Sequence, residues 1–464
     1  MLRIFNRYYP FRNIAFFLIE GFIIFVSVVV AAFLRFGGDI GKLLTYELII
    51  PKALLVTMIC QICLYYNELY DFKITNSNME LGIRLLQAAG SAYIILAVIY
   101  FFFPLIVLGR GIFLINLFLL IGFIVSWRLI YNWILRTRSF DRNVLIVGTG
   151  DIAGKLTEEI ISKKDSGFQA VGFISNDPEM MGKSVVNPRV VGNYSQILDV
   201  VREREVDDVI VALSERRGIF PADALLECKM NGVDVEEGVS FYERITGKIL
   251  VDSINPSWLI FSEGFKKSRI KKTMKRITGA MISTVGLLLT SPLFIITAIS
   301  IRLDSPGPVF FRQKRVGENN KIFYVLKFRS MIQAAECEGC PVWAEKDDPR
   351  VTRVGRVIRK LRIDEIPQMI NVLKGEMSFV GPRPERPEFM EELKKEIPYY
   401  SQRHSVKPGI TGWAQIMYQY GSSVEDAREK LQYDLYYVKN MSTLLDLMII
   451  FKTVKVVLLR KGAR

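Results

Sequence analysis

The sequence predicts a three-part chain: a membrane α-helical bundle, a Rossmann-like α/β domain, and an α-rich domain with a re-entrant membrane helix, which enters the bilayer and returns. Three observations predict this. Four apolar stretches, each near the length of a membrane span, open the chain. An alternation of strand, glycine turn and helix follows from Asn143. A fifth apolar stretch, Ile277 to Ile301, has basic residues on both sides and a Ser-Pro pair near its middle.

Composition sets the frame for these elements. Of the 464 residues, 50% are hydrophobic and 12% aromatic, and the mean hydropathy is +0.24, which points to lipid. The formal charge is +14. With that apolar load, the basic excess suits a membrane surface and phosphorylated substrates, and nucleic acid is not the expected partner. Five cysteines, Cys60, Cys63, Cys228, Cys337 and Cys340, form no disulfide framework and fit a reducing compartment. Cys337 and Cys340 make a lone CxxC, and His404 is the single histidine; a polar surface loop is expected there in preference to zinc.

The apolar stretches run over about 13–33, 48–66, 84–108 and 111–134, each close to the roughly 20 residues that a span requires. Lys52, Gln61 and Gln87 interrupt the second and third. Arg3, Arg7 and Arg12 precede the first stretch, and Arg136, Arg138 and Arg142 follow the fourth. The positive-inside rule puts both ends in the cytoplasm, as an even number of spans allows. Residues 1–138 are thus a four-helix transmembrane domain.

Residues 139–263 read as the α/β domain. NVLIVGTGDIAGKL is strand, turn and helix, with later strands near QAVGFIS, VDDVIVAL and VDVEEG. Gly148, Gly150 and Gly154 are spaced G-x-G-x-x-x-G, one residue off the dinucleotide fingerprint, and Asp177 lies further along than that fingerprint places its acid. Two readings stay open: a bound dinucleotide, or a tight turn kept for geometry in an assembly or regulatory module.

Residues 264–464 form the third part. It begins with the basic run GFKKSRIKKTMKR, suited to anionic phospholipid. The stretch at about 277–301 is long enough to span. Ser291-Pro292 bends it, because proline removes a helix hydrogen bond. Lys271, Lys272, Lys275 and Arg276 lie before it, and Arg302, Arg312, Lys314 and Arg315 after it. A true span would push one cluster outward; a helix that dips and returns keeps both inside. The serine hydroxyl can help satisfy the carbonyl that proline frees.

After Pro306 the chain is dense in phosphate-suited residues: Lys327 and Arg329 in YVLKFRSM, Arg359 and Arg362 before the Asp364-Glu365 pair, and Arg383 between two prolines in GPRPE. IDEIPQMINVLKG reads as a helix start with Pro367 in its first turn and Gly375 at its end. A helix N-terminus accepts anions and keeps an aspartate ionised, as a nucleophile requires. A carboxylate approaching a diphosphate also needs cationic cover, which Lys327, Arg329, Arg359, Arg383 and a magnesium ion can supply. The bland account is that Asp364 and Glu365 merely cap the helix.

KFRSM, the Arg359–Glu365 stretch, NVLKGEMSFVGPRP and KPGITGWAQ resemble the bacterial sugar transferase domain of the monotopic phosphoglycosyl transferases over about 270–464. The four spans and α/β domain ahead of it resemble the large forms, the undecaprenyl-phosphate galactose- and glucose-phosphotransferases of exopolysaccharide and O-antigen synthesis. The resemblance implies a helix broken at Ser291-Pro292 and a ping-pong reaction on the cytoplasmic face of the bacterial inner membrane. Asp364 attacks the UDP-sugar, UMP leaves, and undecaprenyl phosphate takes the hexose-1-phosphate from the aspartate. Glu365 helps hold Mg2+ beside Asp364, Lys327, Arg359 and Arg383 handle phosphate or nucleotide, and the protein is a homodimer. A plain hexose is the favoured sugar. The last segment, LLDLMIIFKTVKVVLLRK, lies in the membrane interface or packs on the catalytic domain.

Two rivals remain. A membrane-anchored nucleotide-sugar dehydratase or epimerase would need a Tyr-x-x-x-Lys, and none occurs after residue 264. A non-enzymatic regulator of polysaccharide assembly would have no use for arginines around an acidic pair.

Overall fold

The structure, a computed structural model, describes all residues except 1, 5–6, 10, 71–77, 138–140, 164–166, 214–219, 255, 263, 266–267, 333–347, 419–420, 422 and 459–464. Cys337 and Cys340 lie outside the described residues. Tyr8–Glu236 is the body of one compact unit and Glu237–Arg464 the body of a second.

The first unit begins with α-helices Phe11–Arg35, Ile49–Tyr66, Asn78–Phe102 and Arg110–Thr137. Each contains a stretch long and apolar enough to cross a membrane. The third starts and ends six residues before the expected 84–108. Pro104 opens a separate short 3-10 turn beyond it. At its start, Glu80 suits the positive end of the helix, and Arg84 joins Glu80 to Glu68 at 2.8 Å each.

Small residues Ala31, Ala32, Ala53, Ala88 and Ala92 are buried where these helices meet, the close packing that lipid-embedded helices favour. Several inward-facing polar groups find partners. Glu20 and Arg128 pair at 2.8 Å, and Arg128 also donates to the Leu69 carbonyl at 2.6 Å. Ser27 donates to Asn116, which donates to the Tyr93 hydroxyl. The sequence interruptions are absorbed the same way: Gln61 donates to the Phe17 carbonyl, and Lys52 sits over the Tyr46 ring.

The rest of this unit is a five-stranded sheet. In chain order its strands are Arg142–Val147, Phe168–Ile174, Val190–Gly192, Asp208–Val211 and Asp234–Glu237. In space they run third, second, first, fourth, fifth. The first strand pairs parallel with the second and fourth, and the second parallel with the third. In the turn, geometry requires glycine at Gly148: its φ is +114°, and a Cβ there would stand 2.6 Å from the Ala212 carbonyl oxygen. Asp151 opens the following helix paired to Lys155, and Asp177 caps a short turn through the Glu179 amide.

The second unit starts earlier than the expected boundary at 263/264. Ile249, Val251 and Ile254 belong to its core, with Val380, Trp413, Leu431 and Leu435. Its longest element is the α-helix Arg269–Asp304, which runs through Pro292 without a break in helical assignment. Proline at 292 frees the carbonyl four residues back, and the Ser291 hydroxyl donates to that Leu288 carbonyl at 2.8 Å. The Ser-Pro pair therefore acts inside one helix instead of separating two. The hairpin Phe310–Val316 with Ile322–Phe328 is antiparallel, and the short strands Ser378–Val380 and Gly409–Thr411 pair parallel. The last helix, Thr443–Leu458, buries Leu445 and Ile449 in the core and leaves Leu444, Leu447 and Phe451 exposed, so it packs on the unit by one face only.

Arg128→Leu strands the buried Glu20 carboxylate, and its expected cost is about 3–5 kcal/mol, whereas Glu20→Leu with Arg128→Leu is near neutral. Thermal melts of the detergent-purified protein decide; equal midpoints for the parent and the single variant would contradict the pairing.

Candidate active site

Three elements converge on the acidic pair. Arg362 adopts the left-handed conformation at φ +55° after the helix Arg353–Lys360, a strained position for a non-glycine residue. It turns the chain into the 3-10 segment Ile363–Glu365, which leads into the helix Gln368–Lys374 and ends at Gly375, φ +86°. The expected helix start is thus present, with the acids in the turn ahead of the helix proper. Strand Ile322–Phe328 carries Lys327. Asn371 stitches that strand to the helix, accepting from the Leu326 amide and donating to the Tyr324 carbonyl.

Arg383 arrives on the loop after strand Ser378–Val380. A Cβ on Gly381 would stand 2.4 Å from the Lys407 carbonyl, and one on Gly412 would stand 2.3 Å from the Gly381 carbonyl. Only glycines let the GPRP and PGITG backbones cross so closely. The Gly381 amide donates to Thr411, and the Gly409 amide to Pro382. Arg315 donates to the Pro384 carbonyl at 3.0 Å and Arg403 to the Arg383 carbonyl at 3.1 Å. Arg403 is buried and also pairs with Asp434 at 2.7 Å and Glu385 at 3.3 Å.

Glu365 is the hub. Its Oε1 receives Arg383 Nη2 at 2.7 Å and lies 3.4 Å from Lys327 Nζ; its Oε2 lies 3.8 Å from Arg362 Nη1. Burial alone would raise the Glu365 carboxyl, but the Arg383 and Lys327 charges and the Arg383 hydrogen bond outweigh it and hold the carboxyl well below its usual range. Burial lowers Lys327, and Glu365 opposes that shift.

Asp364 differs. It is half-buried, and its carboxylate has no ion pair or hydrogen bond among the described residues. Burial and then the Glu365 charge raise its pKa, against the pull of Lys327, Arg383 and Arg359. The sequence reading expected the turn and its cations to keep this aspartate ionised. The cations sit on Glu365 instead, and Asp364 feels Glu365 as a like charge.

Arg359 is half-buried and acts on Asp364 through its charge. Arg329 is not brought to the pair. Its guanidinium donates to the Pro306 carbonyl and to both oxygens of Ser305, closing the end of the long helix. Ser291 and Pro292 lie within that helix. Three contributors went unassigned in the sequence: Arg362, Arg315 and Arg403. Each lay in a basic stretch that resembled phosphate-binding surface, and nothing local marks the carbonyl or carboxylate it meets. Burial, then Arg403, pushes His404 down to about 3, so it is neutral at physiological pH.

Residues 270–460 match the bacterial sugar transferase family, and 66–236 match a CoA-binding domain. Over 327 residues the chain is 33% identical to the UDP-glucose:undecaprenyl-phosphate glucose-1-phosphate transferase of Escherichia coli (strain K12), covering 69% of this chain and 68% of the relative. The chain belongs to the bacterial sugar transferase family. A UDP-N-acetylgalactosamine-undecaprenyl-phosphate N-acetylgalactosaminephosphotransferase of Aeromonas hydrophila is 44% identical over 52% of this chain and 56% of the relative. An undecaprenyl-phosphate glucose phosphotransferase of Komagataeibacter xylinus is 35% identical over 69% and 59%. The chain spans 56% to 68% of the length of these three relatives. In sugar transferase terms, the family region holds every element of the acidic cluster.

Proposed function

We propose that the chain transfers a sugar-1-phosphate from a UDP-sugar to undecaprenyl phosphate, releasing UMP, as the first membrane step of a polysaccharide pathway. The observation that carries this reading is the asymmetry of the acidic pair: Glu365 is paired with Arg383 and Lys327, and the adjacent Asp364 is not. The names of the relatives supply the substrate class.

In this reading an Asp364 oxygen bonds to the β-phosphorus as the bond to the α-phosphate oxygen breaks, and UMP leaves with that electron pair. A phosphate oxygen of the carrier then attacks the same phosphorus and releases the aspartate. Glu365 holds Arg383 and Lys327 in place, ready to meet the diphosphate charge. Arg359 adds positive potential near the nucleophile. A magnesium ion suits the donor set: one partner-free carboxylate, a second beside it, and oxygens that the substrate would bring. Asp364 and Glu365 would hold it. When bound, it neutralises phosphate charge.

The long helix supports a re-entrant placement. Lys275 pairs with Asp446 at 2.7 Å near its start, and Arg276 donates to Leu373. Gly286 faces Met369, with a Cβ there 2.9 Å from its sulfur. Toward its other end, Phe294 packs on Phe328 and Ile301 is buried. One folded body thus holds both flanks, which a helix crossing the bilayer would separate. On this reading the active site rests on the cytoplasmic face of the inner membrane, where UDP-sugars and the carrier phosphate meet. The strand order of the α/β domain supports its Rossmann-like assignment, and a homodimer completes the proposal.

Incubation with labelled UDP-sugar should trap a sugar-phosphoryl enzyme, and Asp364→Asn should abolish it; a labelled mutant would sink the assignment. The pH profile provides a second test. Asp364 must be ionised to attack, so the donor half-reaction gains rate as pH rises through its raised pKa. Glu365→Gln removes the like charge, so the acidic limb of single-turnover UMP release should move to lower pH; a limb that stays or moves upward contradicts the geometry. For topology, Lys321→Cys in a cysteine-free background should resist a thiol reagent confined to the periplasm, and modification there would mean that the helix crosses.

A further inference from the structure

Residues 237–269 lie between the two regions matched to families. We infer that the part of this stretch from Gly238 to Ile254 is a brace of the catalytic unit that sets the position of Arg383 through Trp413. The inference rests on the transfer reading above.

The brace is built into the unit. Phe241, Ile249 and Val251 are at most 1% exposed, and Ile249 and Val251 share a core with Val380 and Trp413. Charged groups fasten the stretch along the helix Val424–Asn440: Glu243 to Lys439 at 2.6 Å, Lys248 to Glu429 at 3.1 Å, and Asp252 to Arg428 at 2.6 Å. The Ile249 amide donates to the Gln432 carbonyl. These fasteners spread along about three turns of one helix, from Arg428 to Lys439, so the stretch is held as a unit.

Its tip is Gly247, the left-handed cap of the helix Gly238–Thr246 at φ +72°. The fully buried Trp413 donates its indole N–H to the Gly247 carbonyl at 2.8 Å. A Cβ on Gly247 would lie 3.3 Å from the indole ring, so the cap and the ring are in close register. The ring stacks on Tyr436 from another direction. Trp413 directly follows Gly412, whose backbone crosses the Gly381 carbonyl too closely for any Cβ. Arg383 lies two residues beyond Gly381. A shift of the indole therefore moves Gly412, then Gly381, then the arginine that meets Glu365. Trp413 and Gly247 act as positioning residues and touch no substrate.

The test is a double-mutant cycle on the full-length protein, read as single-turnover UMP release. Trp413→Phe removes the indole donor and leaves an aromatic ring; it should slow release about tenfold, the scale of one buried hydrogen bond, with KM for the UDP-sugar unchanged. Lys248→Met, which removes the charge that pairs with Glu429 and faces the Tyr242 and Tyr433 rings beside Gly247, should slow it about threefold and carries the cycle if Trp413→Phe does not fold. In an Arg383→Lys background both penalties should shrink below twofold, because the residue they position is already gone. Equal penalties in both backgrounds would make the stretch plain scaffolding and overturn the inference. Absence of UMP release from the parent protein would instead overturn the transfer reading on which the inference stands.

Discussion

The catalytic unit depends on the Glu365 carboxylate. A strand supplies Lys327, a proline-stiffened loop supplies Arg383, and a left-handed turn supplies Arg362, and all three meet at this one side chain. Without it, three cations would face each other in a half-buried space with nothing to neutralise them. With it, their positive charge is gathered beside Asp364, where the proposed transfer calls for cationic cover. The same arrangement explains the neighbour. The cations pair with Glu365 and not with Asp364, so Asp364 keeps an unengaged carboxylate beside the cluster.

Much of the fold was legible because its signals are local. Apolar runs marked four long helices, and alternation marked the parallel sheet. The third span moved by six residues because Pro104 and the Glu80–Arg84 pair mark its ends more sharply than hydropathy does. The acidic turn was legible from Asp-Glu-x-Pro followed by Gly375. What stayed hidden was long-range. Arg329 and Arg403 have the composition of phosphate ligands, but one closes on the carbonyls of residues 305–306 and the other is buried between Glu385 and Asp434. A guanidinium serves carbonyls and phosphates equally well, so residue type alone does not separate the two roles. The division of charge between Asp364 and Glu365 was hidden for the same reason: it depends on which oxygen each cation reaches.

The start of the second unit shows the same limit. Residues 249–254 fell inside the expected α/β domain, yet they fill a core whose other buried members begin at Val316, most of them more than a hundred residues downstream. Pattern matching finds segments that repeat known spacing; it does not find a segment defined by the cavity it fills.

The long apolar helix and the acidic turn are also one mechanical piece. Arg276, at the head of that helix, donates to the carbonyls of Val372 and Leu373, which belong to the last turn of the helix that follows Asp364 and Glu365. The helix stops at Gly375, whose amide caps Val372, so these last carbonyls lack the amides of a following turn. The basic flank thus satisfies the end of the catalytic helix while Asn371, one residue earlier, holds the strand that carries Lys327. A residue that topology rules would class as a phospholipid anchor is bonded to the helix that follows the acidic pair, so one side chain ties the long helix to the turn that carries Asp364. A displacement of the long helix must then move that turn, or break the Arg276 contacts first.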